Sequence, residues 1–226
     1  MNTIGLLGNI GSGKNTVAQY LATKGCIPTS FAGPLKDLCA SIFGWERELL
    51  EGETEESRQF RESVDLYWSK QLSIPNFTPR LALQLIGTDV MRDHFHQNIW
   101  ISSLEYRVKK LHHKNECVVI SDCRFRNEVD LIRKVGGTII LVQRDEKPEW
   151  YEIALRANQG DAVAKHIMTR DFKEVHSSEW DWIGCDIDFT ITNNGTLEEL
   201  YSNIDTIIDK LPKKPQIFND NGLELV

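Results

Sequence analysis

A glycine-rich segment near the start of the chain has residue types and a spacing that suit phosphate binding. It reads Gly8-Asn9-Ile10-Gly11-Ser12-Gly13-Lys14, follows an apolar run, and precedes a segment with helical spacing. Glycines let successive backbone N–H groups turn toward phosphate oxygens, and the positive end of the following helix adds to the attraction. The lysine places a full positive charge at the outer phosphates. The segment therefore predicts a phosphate-binding loop in which Lys14 is the central ligand.

The two residues that follow Lys14 differ from the commonest form of such a loop. That form ends in Lys-Ser or Lys-Thr, with the hydroxyl on Mg²⁺, whereas here Asn15 follows and Thr16 comes next. Lys-x-Thr is typical of small-molecule kinases of the adenylate kinase type, in which water completes the metal shell. We therefore expect ATP and Mg²⁺ to bind, with Thr16 near the metal, and we do not expect a motor or a GTPase switch. The predicted ATP contacts in this loop are Gly8, Ile10, Gly11, Ser12, Gly13, Lys14, Asn15 and Thr16.

A carboxylate follows the most strand-like run of the sequence. Asp122 comes just after the run Cys117-Val118-Val119-Ile120-Ser121. Ligands of a parallel sheet bind at the carboxyl ends of its strands. We therefore expect Asp122 to face the phosphate loop and to associate with Mg²⁺, directly or through water. Capping of the next helix is the alternative explanation for this carboxylate.

Several arginines are candidates for neutralising a reacting phosphate. Transfer of a phosphoryl group between two anions needs cations, and the guanidinium fork binds phosphate oxygens in a bidentate manner. Most single arginines are solvated surface residues, but we expect Arg92 and Arg124 to be ligands. A phosphate acceptor is already ionised at neutral pH, so positioning and charge stabilisation suffice and no base such as a Ser-His-Asp arrangement is needed. The other arginines in or beside polar insertions are Arg80, Arg144, Arg156 and Arg170.

The elements that must position these residues alternate between strand and helix. This alternation predicts an α/β fold with a parallel sheet and helices on both faces. The predicted strands cover 3–8, 27–32, 117–120, 138–142 and 187–192. The predicted helices cover 16–24, 79–94, 100–111 and 127–135, and the third of the six in chain order, 79–94, is interrupted at Gly87. Another helix begins at Gly33, and its inward-facing residues are predicted to be Leu35, Leu38, Cys39 and Ile42. The last helix begins at the capping box Thr196–Glu199 and ends at about Leu211. A charged stretch at 45–76 with few apolar residues predicts a partly helical surface insertion, a second polar stretch covers 144–182, and the tail after Leu211 is expected to be loosely held.

Composition limits the classes of partner. The net charge of −7 argues against a broad, non-specific grip on nucleic acid. The cysteines are odd in number and scattered, so we expect small buried side chains in a reducing compartment and neither a disulfide framework nor a zinc site. No apolar run approaches the ~18 residues that a membrane span requires, and we expect a cytoplasmic protein without membrane contact. The five cysteines are Cys26, Cys39, Cys117, Cys123 and Cys185.

An ordered set of motifs resembles the phage-type deoxynucleoside monophosphate kinases. The set begins with the phosphate loop and continues to Leu200, and as a whole it is more specific than the loop alone. Its members are Gly8 to Thr16, Phe31-Ala32-Gly33-Pro34-Leu35-Lys36-Asp37, Gln84-Leu85-Ile86-Gly87-Thr88-Asp89 with Trp100, Ser121-Asp122-Cys123-Arg124 with Asn127-Glu128, His176-x-x-Glu179, and Ile191 to Leu200.

The resemblance implies a three-layer, adenylate kinase-like P-loop fold and a nucleotide kinase. It implies one kinase domain over 1–226, with a monophosphate-binding insertion at 45–98, a lid at 145–182, and a possible homodimer. Two such insertions can close over both nucleotides and exclude water. It further implies that Lys36, Arg80, Gln84, Arg92 and Arg124 face the acceptor nucleoside monophosphate, that Asp122 and Arg124 lie near the reacting phosphates, that Asn193, Asn194 and Gly195 border the adenine of ATP, and that Arg144, Arg156, Arg170, His176 and Glu179 belong to the lid. Ordering of the lid is the plain explanation for His176 and Glu179.

Two alternatives remain open from the sequence. Another small-molecule kinase is the nearest, because phosphomevalonate kinase resembles the chain at the phosphate loop and at Gly33-Pro34-Leu35-Lys36, with dephospho-coenzyme A kinase more distant. The second is a P-loop ATPase with a regulatory role. A loop ending in Lys-Ser or Lys-Thr would favour that role, and this loop lacks such an ending.

Overall fold

The computed structural model describes residues 3–114 and 116–211, which form two compact units. The core unit contains the described parts of residues 1–28 and 109–226, and the helical unit contains residues 29–108. The tail that was predicted to be loosely held lies outside the described residues. The strands are β1 Thr3–Leu7, β2 Cys26–Thr29, β3 Cys117–Ile120, β4 Thr138–Gln143 and β5 Phe189–Thr192. The α-helices are α1 Lys14–Thr23, α2 Gly33–Phe43, α3 Glu55–Glu62, α4 Leu66–Leu72, α5 Pro79–Gln84, α6 Ile99–His113, α7 Arg126–Lys134, α8 Tyr151–Asn158, α9 Ala162–Asp171 and α10 Leu197–Lys210.

The five strands form one sheet in the order β2-β3-β1-β4-β5. Strand β1 runs parallel to β3, with Ile4 opposite Val119, and parallel to β4, with Gly5 opposite Ile139. Strand β5 pairs in parallel with β4. All residues of β1 are buried, which explains its continuous apolar sequence, because strands covered on both faces need no polar side. All five strands were predicted, although β2 and β5 are shorter than expected.

Helices cover both faces of the sheet, as the alternation predicted. On one face, α1 and α10 pack against β1 through Val17, Leu21 and Ile204. On the other face, α7 lies so close that a side chain at Gly5 would collide with Ile132. The predicted capping box starts α10, where the Thr196 side chain accepts from the N–H of Glu199. The core unit is therefore a three-layer α/β fold with β1 at its centre.

The helical unit has a core of its own, which corrects the prediction for residues 45–76. That stretch is partly helical as expected, through the 3₁₀ turn Arg47–Leu50 and helices α3 and α4. It is not only a surface insertion, because Trp45 and Leu50 are buried together with Phe77. The ring of Phe43 stacks on Trp45 with centroids 4.4 Å apart. Large aromatic rings bury enough area for a small core even where charged residues outnumber them.

Two predictions about helix positions in this unit were wrong. Leu38 and Ile42 were expected to face inward from α2, but they are 38% and 50% exposed, because the core packs on the side of Cys39. Gly87 was expected to interrupt a helix, but the chain continues past it as a π-helix, Leu85–Phe95. Gly87 is buried, and a Cβ there would approach Leu35 to 2.6 Å. Its role is close packing against α2.

The prediction about the cysteines needs correction. Cys26 and Cys117 form a disulfide bond between the adjacent strands β2 and β3, with Cα atoms 4.4 Å apart. A search for short Cys spacings cannot find it, because the partners are separated by 91 positions and meet only in the folded sheet. Cys39 and Cys123 are buried, as predicted, and Cys185 is half-buried. None of the helices in 3–114 and 116–211 is long and apolar enough to cross a membrane.

Candidate phosphate-binding site

The predicted phosphate loop connects β1 to α1 at the carboxyl edge of the sheet. Gly8, Gly11 and Gly13 have φ values of 142°, 80° and 100°, a region that residues with a side chain rarely adopt. A Cβ at Gly8 would collide with the carbonyl of Val142, and one at Gly13 would collide with the Asn193 amide. Glycine is therefore required at both positions, and the loop delivers its backbone N–H groups to the start of α1.

Lys14, the cationic side chain of the loop, is buried and has a lowered pKa. The residue is 9% exposed, and its Nζ donates to the carbonyl oxygens of Gly8 at 2.7 Å and Asn9 at 2.8 Å. Burial, and after it the nearby charge of Arg124, lower the pKa of Lys14 from 10.5 to about 8. A buried ammonium with a lowered pKa lacks enough negative charge around it. An incoming phosphate would supply that charge.

Two polar side-chain atoms of the loop are buried without a hydrogen-bond partner in the described structure. They are Oδ1 of Asn9 and Oγ of Ser12, and Ser12 as a whole is 3% exposed. An unsatisfied buried polar group costs about 1–3 kcal/mol. Such groups concentrate where a ligand or ordered water completes the structure. The loop therefore has the character of a binding site and not of an ordinary turn.

Asp122 lies where the sequence placed it, two residues beyond the end of β3, which neighbours β1. It is half-buried. The alternative role, capping of α7, belongs to another residue: Glu128 accepts from the backbone N–H groups of Arg124 at 2.7 Å and Phe125 at 3.1 Å. The carboxylate of Asp122 is therefore positioned at the same sheet edge as the phosphate loop and is not the N-cap of α7.

Arg124 meets the loop through a residue of the lid. Its guanidinium forms an ion pair with Glu179, and the other carboxylate oxygen of Glu179 accepts from the backbone N–H of Ile10 at 3.2 Å. The structure thus links Arg124 to the loop through Glu179, and its contact with a reacting phosphate remains a prediction. The contact between Glu179 and the loop could not be derived from the sequence, because the two residues are 169 positions apart.

The segment after β5 is hydrogen-bonded to the phosphate loop. The Asn193 side chain donates from Nδ2 to the carbonyl of Ser12 at 2.8 Å, and its backbone N–H donates to Gln143 at 2.8 Å. Asn194 accepts from the N–H of Asp145 at 2.9 Å, at the start of the lid. A pocket beside this segment is lined by Thr192, Asn193, Asn194, Gly195, Thr196, Glu199, Leu200 and Asn203. The adenine contacts of Asn193, Asn194 and Gly195 remain a prediction.

The predicted lid residues differ in their contacts. Arg144 is exposed and lines a second pocket that also contacts the loop residues Gly8, Asn9 and Ser12. The other predicted lid arginines bond locally, Arg156 to Asp161 at 2.5 Å and Arg170 to its neighbour Asp171 at 2.6 Å. The ring of His176 accepts from the N–H of Ser178 at 3.2 Å and caps a short turn.

Arg126 is a lid anchor that the sequence reasoning missed. Its backbone N–H donates to Asp181 at 2.8 Å, and its guanidinium donates to the carbonyl of Ile183 at 2.7 Å. The same carbonyl accepts from Asn158 at 2.9 Å. Its position two residues after Arg124 is the signal that the sequence offers.

Of the residues predicted to face the acceptor, Arg124 belongs to the core unit and the other four belong to the helical unit. Lys36 pairs with Glu51 at 2.5 Å, and Arg80 pairs with Glu62 at 2.5 Å. Gln84 is exposed at the end of α5, and Arg92 is half-buried in the π-helix. The contact of these residues with an acceptor remains a prediction.

The sequence matches those of known proteins. The sequence profile of the family described as deoxynucleotide monophosphate kinase matches residues 46–204. A protein of Acanthamoeba polyphaga mimivirus named for the same activity is 35% identical over 219 residues, which cover 92% of this chain and 97% of the relative. The deoxynucleoside-5′-monophosphate kinase of Escherichia phage T5 is 29% identical over 182 residues, covering 59% of this chain and 72% of the relative.

Similarity to solved structures is weaker. The dephospho-CoA kinase of Campylobacter jejuni aligns over 94% of this chain and 98% of its own, with 15% sequence identity and a TM-score of 0.47. Membership of the family therefore rests on the sequence matches.

Proposed function

The chain belongs to the deoxynucleotide monophosphate kinase family, and on that premise we propose how its residues bind ATP and a nucleoside monophosphate. The protein is a nucleotide kinase: the γ-phosphoryl group of ATP passes to a deoxynucleoside 5′-monophosphate, and a diphosphate results. Membership of this family sets aside the phosphomevalonate, dephospho-coenzyme A and ATPase alternatives. The observation that carries the donor site is the buried, under-neutralised ammonium of Lys14 in a loop with unsatisfied polar atoms.

Lys14 and the loop amides would hold the donor phosphates. The ammonium now bonds to two loop carbonyls, and phosphate oxygens are stronger acceptors because they are charged. Binding would therefore exchange neutral acceptors for anionic ones in a buried site, where such interactions are strongest. Asn193 would keep the loop in shape through its bond to Ser12. Asn194 and Gly195 would border the adenine.

Thr16 and Asp122 would hold Mg²⁺ together with the phosphates. Thr16 lies in the first turn of α1, and Asp122 lies beyond β3. A hydroxyl and a carboxylate are hard oxygen ligands, and Mg²⁺ accepts few protein ligands when phosphates and water complete its shell. The donor set therefore fits the ion. When bound, Mg²⁺ would neutralise part of the phosphate charge.

Arg124 would stabilise the phosphoryl group during transfer. It lies at the loop, and its guanidinium already binds a carboxylate there. The acceptor oxygen is ionised near neutral pH, since the second pKa of a phosphate monoester is about 6. Positioning and charge neutralisation can then drive the reaction without a general base.

The acceptor nucleotide would contact the insertion at 45–98 and also Lys36, which lies earlier in the chain. Lys36, Arg80, Gln84 and Arg92 are the proposed ligands, and the ion pairs of Lys36 and Arg80 would be exchanged for contacts with the acceptor. The lid at 145–182, with Arg144, Arg156, Arg170, His176 and Glu179, would exclude water from the transfer. We further propose that the protein acts as a homodimer that binds neither nucleic acid nor membrane. Because its relatives are viral, we propose that it acts in the cytoplasm of an infected host.

A coupled assay of ADP formation tests the proposal across the common ribo- and deoxyribonucleoside monophosphates. ADP formation should depend on a monophosphate and should be small with ATP and Mg²⁺ alone. Equal ADP formation with and without any acceptor would contradict acceptor binding and would describe an ATPase.

A further inference from the structure

We propose that Glu179 is an intramolecular latch that occupies the position of a donor phosphate and must be displaced when ATP binds. The inference rests on the proposed donor site and gives one lid residue a defined role in it. Its carboxylate uses the groups that a phosphate would use. Oε2 accepts from the Ile10 N–H at 3.2 Å, and Oε1 pairs with the Arg124 guanidinium.

The latch residue is also within electrostatic reach of Lys14. Burial and the charge of Arg124 lower the pKa of Lys14, and Glu179 is the largest influence in the opposite direction. The Glu179 side chain is 15% exposed, so its charge is poorly screened. One carboxylate thus contacts a loop amide and an arginine and lies within the electrostatic influence of a lysine, which together are a typical environment for a phosphate.

A carboxylate and a donor phosphate cannot share these groups. An ionised carboxylate has no hydrogen to donate, so it cannot bond to phosphate oxygens and would only repel them at short range. Donor binding must therefore break both contacts of Glu179 and release Arg124. The released arginine is the cation that the transfer reaction needs.

The chain on both sides of Glu179 connects this residue to the lid. On the C-terminal side, Asp181 and Ile183 are held by Arg126, and Ile183 also by Asn158. On the N-terminal side, His176 caps the single turn Ser177–Glu179, and the carbonyl of Ser177 accepts from the N–H of Asp181 at 2.8 Å. The turn is thus tied to the anchored residues, and displacement of the Glu179 carboxylate would couple donor binding to the lid.

The direct test is the donor affinity of Glu179→Gln in the full chain. Glutamine keeps the size of the side chain and removes its charge. Calorimetric titration with the Mg²⁺ complex of a non-hydrolysable ATP analogue should give about ten-fold tighter binding than in the unchanged protein, the effect of losing one charge-assisted hydrogen bond. The matched control is Glu174→Gln, an exposed lid position with the same change of charge, which should stay within about two-fold because exposed charges are screened.

A second variant separates geometry from charge. Glu179→Asp keeps the charge but shortens the side chain, so the carboxylate should no longer reach both partners and binding should again tighten. Unchanged or weaker binding in Glu179→Gln, while the unchanged protein binds the analogue, would overturn the latch alone. Weaker binding together with a lower kcat would instead make Glu179 a residue that positions Arg124, and would also overturn it. If neither protein bound the analogue, the proposed donor site itself would fail.

Discussion

The buried charge of Lys14 should reduce the stability of the fold that carries it. Its pKa falls from 10.5 to about 8 on folding, and burial is the main cause. Each pKa unit corresponds to about 1.4 kcal/mol, so the charged lysine destabilises the folded chain by about 3 kcal/mol as an upper bound. Replacement by methionine removes the charge and keeps an unbranched side chain of similar length. The two hydrogen bonds to loop carbonyls are lost, which offsets about 1–2 kcal/mol. Lys14→Met should therefore be more stable at pH 7 by about 1–2 kcal/mol.

The pH dependence gives the same prediction a sharper form. Between about pH 8 and 10.5 the unfolded chain holds the Lys14 proton and the folded chain does not. Stability therefore rises with pH across this window for the unchanged protein. Other groups titrate there too, so the informative quantity is the difference from Lys14→Met, which should shrink as the pH rises.

Urea unfolding at pH 7 and pH 10, followed by circular dichroism, measures this difference. Addition of the Mg²⁺ complex of an ATP analogue should stabilise the unchanged protein and not Lys14→Met. A variant that is less stable than the unchanged protein at pH 7, by 1 kcal/mol or about that, would refute the claim that Lys14 is under-neutralised.

Three further predictions concern the loop and the acceptor residues. Gly13→Ala should lose donor binding and about 1–3 kcal/mol of stability in urea unfolding, because the φ of Gly13 is 100° and the new Cβ would collide with the Asn193 amide. The control Gly25→Ala, where φ is 92° and the space around the Cβ is open, should show the backbone strain alone and keep donor binding. Asn193→Ala should raise the donor KM in the coupled assay and cost about 1 kcal/mol of stability, since the loop loses a hydrogen bond of 2.8 Å; an unchanged KM would exclude the supporting role. Arg92→Ala should raise the acceptor KM about ten-fold or more with little change in the donor KM, while the exposed Arg58→Ala should change neither, and an unaltered acceptor KM in Arg92→Ala would count against the acceptor assignment.

Local patterns in the sequence predicted most of the core unit. The glycine spacing of the loop, the apolar run of β3 and the capping box at Thr196 each depend on neighbours within a few positions, and each appears in the structure. The site residues that follow such patterns, Lys14 and Asp122, lie at the same edge of the sheet, because strand order places β3 beside β1.

The features that were missed depend on distant parts of the chain. The disulfide between Cys26 and Cys117 and the bond between Ile10 and Glu179 form only when the sheet and the lid are in place. The core around Trp45 was hidden because apolar density in the sequence underestimates a few large rings. Gly87 suggested a break because a lone glycine weakens a helix, but packing against Leu35 requires it there.

Phosphoryl transfer by Lys14→Met tests the central claim most directly. With the best acceptor from the panel, the variant should keep its circular dichroism spectrum and lose at least about 100-fold in kcat/KM, the scale of removing a group that stabilises a transition-state charge. Lys210→Met, which removes an exposed lysine at the end of α10, should retain full activity. Full kinase activity in Lys14→Met would show that the polyphosphate is not held by this loop and would contradict the account.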